Sequence, residues 1–435
     1  MRFFDNLGRM NILILGATGF IGSAVAARLV ADGHAVSGLG RTPVRARIKW
    51  PDVRWLRADL AHMTTAADWQ ETLKDQHVVV NCAGALQDGF SDDLAASQAD
   101  AMLALYIAAK TSDVRLVVQI SANTDAPVAH LPFLATKRRA DDALASSGLP
   151  YVILRPALVV GRNSHGGSAL LRALASMPFA LPLIHSQSPV ETIDIKDVAA
   201  AVSAAVCGEI ASGKDIALAS SETLMLSELV KLHRQWLGLP PAPIIPIPAA
   251  LVKPVTWLAD IAGRLGWRSP LRSTAMAIMS KGVTSNGTVP AIRSGSVAAT
   301  LAANPSGIQD LWSARLYLLK PLMAVGLALY WLLSGIIPLL SPQAASQHLL
   351  PFMPPAAAMA LTLFMCAVDI ALGAALLFRP IARKVLLAML AVSFAYLAGA
   401  TLLEPSLWHD PLGPLVKVLP SLLLTLVTLA ILDER

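Results

Sequence analysis

The first residues able to do chemistry lie in Asn11-Ile-Leu-Ile-Leu-Gly-Ala-Thr-Gly-Phe-Ile-Gly22. Gly16, Gly19 and Gly22 stand at the spacing G-x-x-G-x-x-G. They follow a short apolar run and precede residues 23–29, which carry small and apolar side chains at helical spacing. Strand, glycine turn and helix in that order turn a weak glycine pattern into a dinucleotide site. Gly16 permits the tight turn, Gly19 lets backbone approach a pyrophosphate, and Gly22 lets the helix pack close to the strand. The phosphates would rest on the helix N-terminus, where free N–H groups and the dipole favour anions. An ordinary tight turn is the bland alternative.

A nucleotide also meets the end of the second apolar run, residues 35–39. In a dinucleotide fold an acid there takes the adenosine ribose hydroxyls of NAD. This chain reads Leu39-Gly40-Arg41-Thr42-Pro43-Val44-Arg45 and has no acid. Gly40 and Arg41 leave room and charge for a 2′-phosphate, so NADP(H) is preferred over NAD(H); a solvated loop arginine is the alternative. Two other candidates stand apart. Asp369 is the one formal charge within residues 356–378. An acid in such an apolar stretch marks a functional site by default, or else makes an interhelical hydrogen bond in its protonated form. His165, in Asn163-Ser-His-Gly-Gly167, lines a substrate entrance or is a plain loop histidine.

The elements that must position these residues are legible as alternating runs. Residues 53–56, 77–80 and 115–120 read as further strands, ending near Asp59, at Asn81-Cys-Ala-Gly84 and at Ser121; residues 98–110 read as a helix. Strands alternating with helices at this spacing mean an α/β, doubly wound parallel sheet. Residues 223–237 read as one helix, and Pro240-Pro-Ala-Pro243 with Pro246 and Pro248 as a stiff connection. Residues 249–265 have an apolar face, with Lys253, Asp260 and Arg264 opposite. That face packs on the protein or lies on a bilayer surface. Residues 285–296 read as a polar surface loop.

Composition sets the outer limits. The chain has 435 residues, 55% of them hydrophobic and 15% charged, against about 25% charged in a typical soluble domain. The charge deficit lies after Lys320, where Arg379, Arg383, Lys384, Lys417 and Arg435 balance Asp369, Glu404, Asp410, Asp433 and Glu434. The net charge of +6 therefore belongs to the first part, which suits an anionic nucleotide or membrane surface. No basic cluster interleaved with aromatics suggests nucleic acid. Cys82, Cys207 and Cys366 lack metal or redox spacing and read as buried thiols in a reducing compartment; no metal is expected. Nothing near the start reads as a secretory signal. Residues 1–9 read as an appendage, with Met10 as an alternative start.

Residues 321–340, 356–378, 385–403 and 413–432 are each long and apolar enough to cross a bilayer, given about 20 residues per span. A soluble bundle would show polar faces that these lack. Arg315 and Lys320 precede the first span, and Arg379, Arg383 and Lys384 link the second to the third. The positive-inside rule then puts both chain ends in the cytoplasm. This describes an all-α four-helix transmembrane domain over residues 311–435, in the inner membrane of a bacterium.

Residues 1–310 resemble an atypical or extended short-chain dehydrogenase/reductase. The resemblance rests on Gly16-Ala-Thr-Gly-Phe-Ile-Gly22, Asp59, Asn81-Cys-Ala-Gly84, Ser121, Lys137, Arg155-Pro156 with Gly161, and Val190-Glu-Thr-Ile-Asp-Ile-Lys-Asp-Val198. It is nearest in style to NmrA-like proteins and the nucleotide-binding accessory subunit of respiratory complex I, several of which bind NADPH without known turnover. It implies a Rossmann-type domain with a small mixed substrate lobe, mainly within residues 151–310. It implies cofactor contacts from Gly16, Thr18, Gly19, Phe20, Ile21 and Gly22, from Arg41, and from Asp59 and Leu60, with Asp59 on the adenine amino group. Ala83 and Gly84 would line the cleft, Ser121 back the nicotinamide or cap the strand end, Lys137 reach the nicotinamide ribose, and Pro156 precede the loop along the nicotinamide. The family's reductases use Tyr-x-x-x-Lys on one helix face, the lysine lowering the tyrosine pKa. Here the stretch is Phe133-Leu-Ala-Thr-Lys137, so the catalytic set shrinks to Lys137 and Ser121, with Asn123 and Thr124 nearby. The last hundred residues resemble the DoxX-like membrane domain, through their size and Trp408-His-Asp-Pro-Leu-Gly-Pro-Leu-Val-Lys417. Two functions stay open: an oxidoreductase acting on a lipid-soluble substrate such as a quinone or isoprenoid, and a module that holds NADPH at the bilayer without turnover.

Overall fold

The computed structural model describes residues 8–90, 93–124, 129–267, 269–285, 292–411 and 413–433. Its strands are β1 Asn11–Leu15, β2 Ala35–Gly40, β3 Arg54–Arg57, β4 Val78–Asn81, β5 Leu116–Ile120, β6 Tyr151–Pro156, β7 Leu158–Val160, β8 Leu181–Leu183, β9 Pro189–Asp194, β10 Lys214–Ser220, β11 Thr223–Met225, β12 Ile244–Pro246 and β13 Ile292–Ser294. Two compact units emerge: Met1–Asp260 with Ser269–Ala314, and Ile261–Arg268 with Arg315–Arg435.

In the first unit an 8-stranded sheet runs β13-β10-β6-β5-β4-β1-β2-β3, each neighbouring pair parallel. The alternation of side chains along β1 explains its central place. Ile12 and Ile14 face Val25 and Leu29 of helix Phe20–Ala31 and Val198 and Val202 of helix Ile195–Val206. Leu13 and Leu15 face Met102 and Leu105 of helix Ala101–Ala109 and Leu144 of helix Pro132–Ala145. All four β1 side chains are fully buried. A strand covered on both faces must be apolar at every position, and each such side chain contributes about 1.5–3 kcal/mol. The chain runs outward through β2 and β3, then returns to β4 on the other side of β1. That reversal falls between β1 and β4, and the carboxyl ends at such a switch point are the usual ligand position in open α/β sheets.

The mixed lobe has a three-stranded sheet, β11-β9-β7, and a parallel pair, β12-β8. Several expectations change here. Residues 223–237 are not one helix: β11 pairs antiparallel with β9, and helix Leu226–Trp236 follows, its start held by Glu228 accepting from the Met225 N–H at 2.8 Å. Pairing to a neighbouring strand outweighs local helical spacing. Ile244–Pro246 in the proline-rich connection pairs with β8, and Pro246 ends that strand, where a missing N–H costs least. Of the supposed loop 285–296, Ile292–Ser294 forms the edge strand of the main sheet, while residues 286–291 lie outside the described residues. The expected helix at 98–110 opens as a π-turn, Ala95–Asp100, before the α-helix Ala101–Ala109.

Among the described residues three helices are long and apolar enough to cross a membrane: Ile308–Leu339, which begins in the first unit, Pro355–Leu376 and Arg379–Leu403. The expected fourth span is shorter. Gly413 takes a left-handed φ of +56°, a turn occupies residues 414–417, and the helix proper is Val418–Ala430. Its 13 residues reach about 20 Å, short of a hydrocarbon core of about 30 Å. Small residues let the first two helices touch. A Cβ on Gly335 would stand 2.5 Å from the Cys366 carbonyl oxygen, and one on Gly373 would stand 2.8 Å from that of Ala328. Asp369 joins three helices: Ser334 donates to one carboxyl oxygen at 2.8 Å and Tyr396 to the other at 2.9 Å. The ends of the second unit differ in charge. Lys320 and Arg379 both donate to the Leu432 carbonyl at one end, while His348 lies 3.8 Å from Glu404 at the other.

Candidate nucleotide site

The site is built on the turn between β1 and helix Phe20–Ala31. Gly16 has φ +69°, and a Cβ there would stand 2.9 Å from Ala83 Cα. Only glycine takes both the left-handed backbone and the close approach without strain. The Gly19 N–H closes the turn on the Gly16 carbonyl at 2.8 Å. A Cβ on Gly22 would lie 2.2 Å from the Gly16 carbonyl oxygen, so helix and turn pack backbone to backbone. Gly19 caps the helix without a side-chain hydrogen bond, and the first turn holds no acid. Its N–H groups are thus open to an anion. Phe20 and Ile21 form that first turn, and Thr18 faces Gly40 at the end of β2.

Arg41 and Arg45 follow β2 as exposed side chains, and no carboxylate stands at the strand end. Asp59 follows β3, where its carboxylate accepts from the Ala61 N–H at 3.2 Å and starts a 3₁₀ turn, while Leu60 packs into the core. Asp59 is therefore a local cap as well as a candidate adenine contact.

Beyond β4, Ala83 donates its N–H to the Asn81 side chain at 2.9 Å. A Cβ on Gly84 would stand 3.6 Å from Lys137 Nζ, so these two expected residues come together. Helix Pro132–Ala145 carries Phe133, Lys137 and Asp141 four residues apart on one face. Lys137 Nζ lies 5.9 Å from the Phe133 ring centre and donates to the Ile120 carbonyl, the last of β5, at 3.0 Å. Lys137 is buried. Burial pulls its pKa down, while the nearby Asp141 carboxylate opposes this. The Cys82 thiol is pushed up to about 12 by burial, against the pull of Lys137. Cys82 and Cys207 are half-buried rather than fully enclosed, whereas Cys366 is buried.

Ser121 is buried, and its hydroxyl donates to Asp141 at 2.6 Å. Asp141 also pairs with Arg155 at 2.9 Å, and Arg155 clamps Asp215 through two bonds of 2.7 Å. Arg155 further donates to the Ala122 carbonyl at 2.6 Å and to Thr124 at 2.9 Å. Burial raises the Asp141 pKa, with Arg155 the main opposing influence. One Asp141 oxygen and the Tyr106 hydroxyl are buried without a hydrogen-bond partner. This Asp141–Arg155–Asp215 group was missed in the sequence; its signal was an acid four residues beyond Lys137, with Arg155 one residue before the end of β6. Pro156 ends β6, half-buried, opposite Leu218. Asn123 turns to the lobe and donates to the Thr284 carbonyl at 2.7 Å. His165 is exposed on its loop, and its backbone N–H meets the Ser168 hydroxyl at 3.0 Å.

Comparison with known proteins gives two family matches. A family described as NAD(P)H-binding matches residues 16–206, and one described as DoxX-like matches residues 328–426. Proteins described as uncharacterized in Mycobacterium tuberculosis and Mycobacterium bovis are each 26% identical over 255 residues, 58% of this chain. The match spans 26% of their length, so the chain covers about a quarter of these curated relatives. The X-ray structure of Pal from Bacillus thuringiensis shares the fold at a TM-score of 0.52 and 16% identity, over 69% of this chain and 100% of that one. The Bordetella bronchiseptica enzyme WbmH, solved in complex with NAD+, is 22% identical at a TM-score of 0.47, over 55% of this chain and 87% of that one. The chain joins an NAD(P)H-binding domain with a Rossmann-type sheet to a C-terminal DoxX-like domain with membrane-capable helices.

Proposed function

We propose that this protein is a membrane-tethered NADP(H)-dependent reductase of a lipid-soluble acceptor, of which a quinone is the best chemical fit. The observation that carries this reading is a nucleotide cradle whose lysine has phenylalanine, not tyrosine, four residues before it, in a chain with membrane-capable helices. The open N-terminus at Gly19 would hold the pyrophosphate. Arg41, with Arg45 assisting, would hold a 2′-phosphate beside Gly40, and Asp59 with Leu60 would flank the adenine. Gly84, Lys137 and Pro156 would border the nicotinamide half. When bound, NADPH supplies a hydride.

The remaining requirement is a proton for the acceptor oxygen. Phe133 stands four residues before Lys137 and has no proton to give. Ser121 already donates its hydroxyl hydrogen to Asp141. Ketone reduction would leave an alkoxide with no acid beside it, whereas a quinone accepts hydride to leave a far more stable phenolate that water can protonate. An isoprenoid carbonyl would need a donor that the described residues do not place there.

The same absence favours a second reading, an NADPH-holding sensor or assembly module without turnover. Purified full-length protein in lipid nanodiscs, given NADPH with either a short-chain benzoquinone or a simple ketone, separates the two. Oxidation of NADPH with the quinone and not with the ketone supports the reductase. Tight NADPH binding with neither reaction supports the module. Charge placement supports a bacterial inner-membrane protein with the nucleotide domain on the cytoplasmic side.

A further inference from the structure

We propose that helix Val252–Arg264 is an interfacial membrane helix, laying its apolar face on the bilayer surface. Leu251, Val255, Trp257 and Leu258 are exposed by 51%, 36%, 63% and 60%. Before Ile308, no other eight-residue stretch among the described residues exposes four large apolar side chains. At 100° per residue Leu251, Val255 and Leu258 form one stripe. Trp257 lies between that stripe and the polar side, the place of an interfacial tryptophan.

The polar side reaches other parts of the protein at Asp260, while Lys253 stays exposed. The Asp260 carboxylate accepts from Arg272 Nε at 3.2 Å and from the Ser273 N–H at 3.3 Å, leaving the stripe turned away. A helix packed on the lobe through its apolar face would show the reverse. The next residues say what covers the stripe. The Leu265 carbonyl accepts from the Arg379 N–H at 3.0 Å, and Trp267 donates its indole N–H to the Leu377 carbonyl at 2.7 Å. Both contacts lie in the turn between Pro355–Leu376 and Arg379–Leu403, two membrane-capable helices, at the basic end of that unit. The helix thus ends where a membrane-spanning segment leaves the hydrocarbon. Residues 261–268, the end of this helix and the turn after it, belong to the membrane-capable unit, and lipid is therefore the occupant assigned to the stripe.

An environment-sensitive fluorescent amino acid, introduced singly at 255, 258, 253 or 256 of the full-length protein in nanodiscs, tests this. Brominated lipid should quench the probes at 255 and 258, shift their emission to the blue, and leave them shielded from aqueous iodide. Probes at 253 and 256 should show the opposite. Iodide quenching at 255 and 258 would mean a solvated helix and overturn the proposal. Shielding there from both quenchers would mean a protein surface, a second copy included, and would overturn it equally. NADPH binding by each labelled protein verifies that the nucleotide domain is folded.

Discussion

At the scale of one residue, the proposed preference for NADP(H) rests on Arg41. With Gly40 before it and no acid at the end of β2, Arg41→Asp should weaken NADPH binding and relatively favour NADH. Titration of both nucleotides into both proteins checks this, and equal affinity of the unaltered protein for the two would remove the argument. The proposed chemistry rests on Phe133. It lies over Lys137 with the shape of tyrosine and no hydroxyl. Phe133→Tyr should create weak ketone reduction with unchanged NADPH affinity. A positioned acid contributes about 10²–10⁴-fold, although Lys137 here spends its ammonium on the Ile120 carbonyl, so the lower end is expected. If the unaltered protein reduces ketones efficiently, Phe133 does not occupy the proton-donor position. Lys137 and Phe133 were legible because an α-helix brings i and i+4 together. The Ser121–Asp141–Arg155–Asp215 group was not, because its members come from β5, a helix, β6 and β10, which only the sheet order makes neighbours.

Helix Leu226–Trp236 shows what an element costs when it buries a titratable ring. His233 is buried with Nδ1 2.8 Å from the Leu229 carbonyl. Burial lowers its pKa to about 4, the hydrogen bond partly opposing and Arg172 adding to the effect. The unfolded chain takes up this proton near pH 6.5, well before the folded protein does. The stability tied to the neutral ring is therefore complete above about pH 6.5 and is lost as the pH falls toward about 4. The loss should be on the order of 1–3 kcal/mol. Thermal unfolding followed by tryptophan fluorescence across that range, with His233→Gln for comparison, measures it. An identical acid dependence in the variant would assign the effect to other groups. This helix also shows where local reading stops. Residues 223–225 follow the helical spacing of what comes after, yet pair with β9, because long-range pairing is invisible to a local window.

Topology belongs to the whole molecule. Lys320 and Arg379 meet at one end of the helical unit, and His348 and Glu404 at the other. Residues 343–350 and 404–410 should therefore face the periplasm and residue 381 the cytoplasm. Introduced cysteines, in a background without the three native ones, should react with an impermeant thiol reagent from the matching side. Protection of both outer segments from external reagent would overturn this arrangement.

The sequence by itself determined the class of each half. A strand buried on both faces must be apolar throughout, a glycine turn must hold glycine where a Cβ would strike backbone, and a bilayer span must be apolar over most of its length. Each of these demands is met within a short stretch, so each is written locally: at Ile12–Leu15, at Gly16 and Gly22, and in the three long apolar helices. Tertiary structure alone decided that residues 292–294 complete the main sheet, that Ser121 gives its hydrogen to Asp141, and that Asp260 accepts from Arg272. These outcomes depend on partners distant in the chain, and a hydrogen bond has no sequence signature until folding brings its two ends within reach.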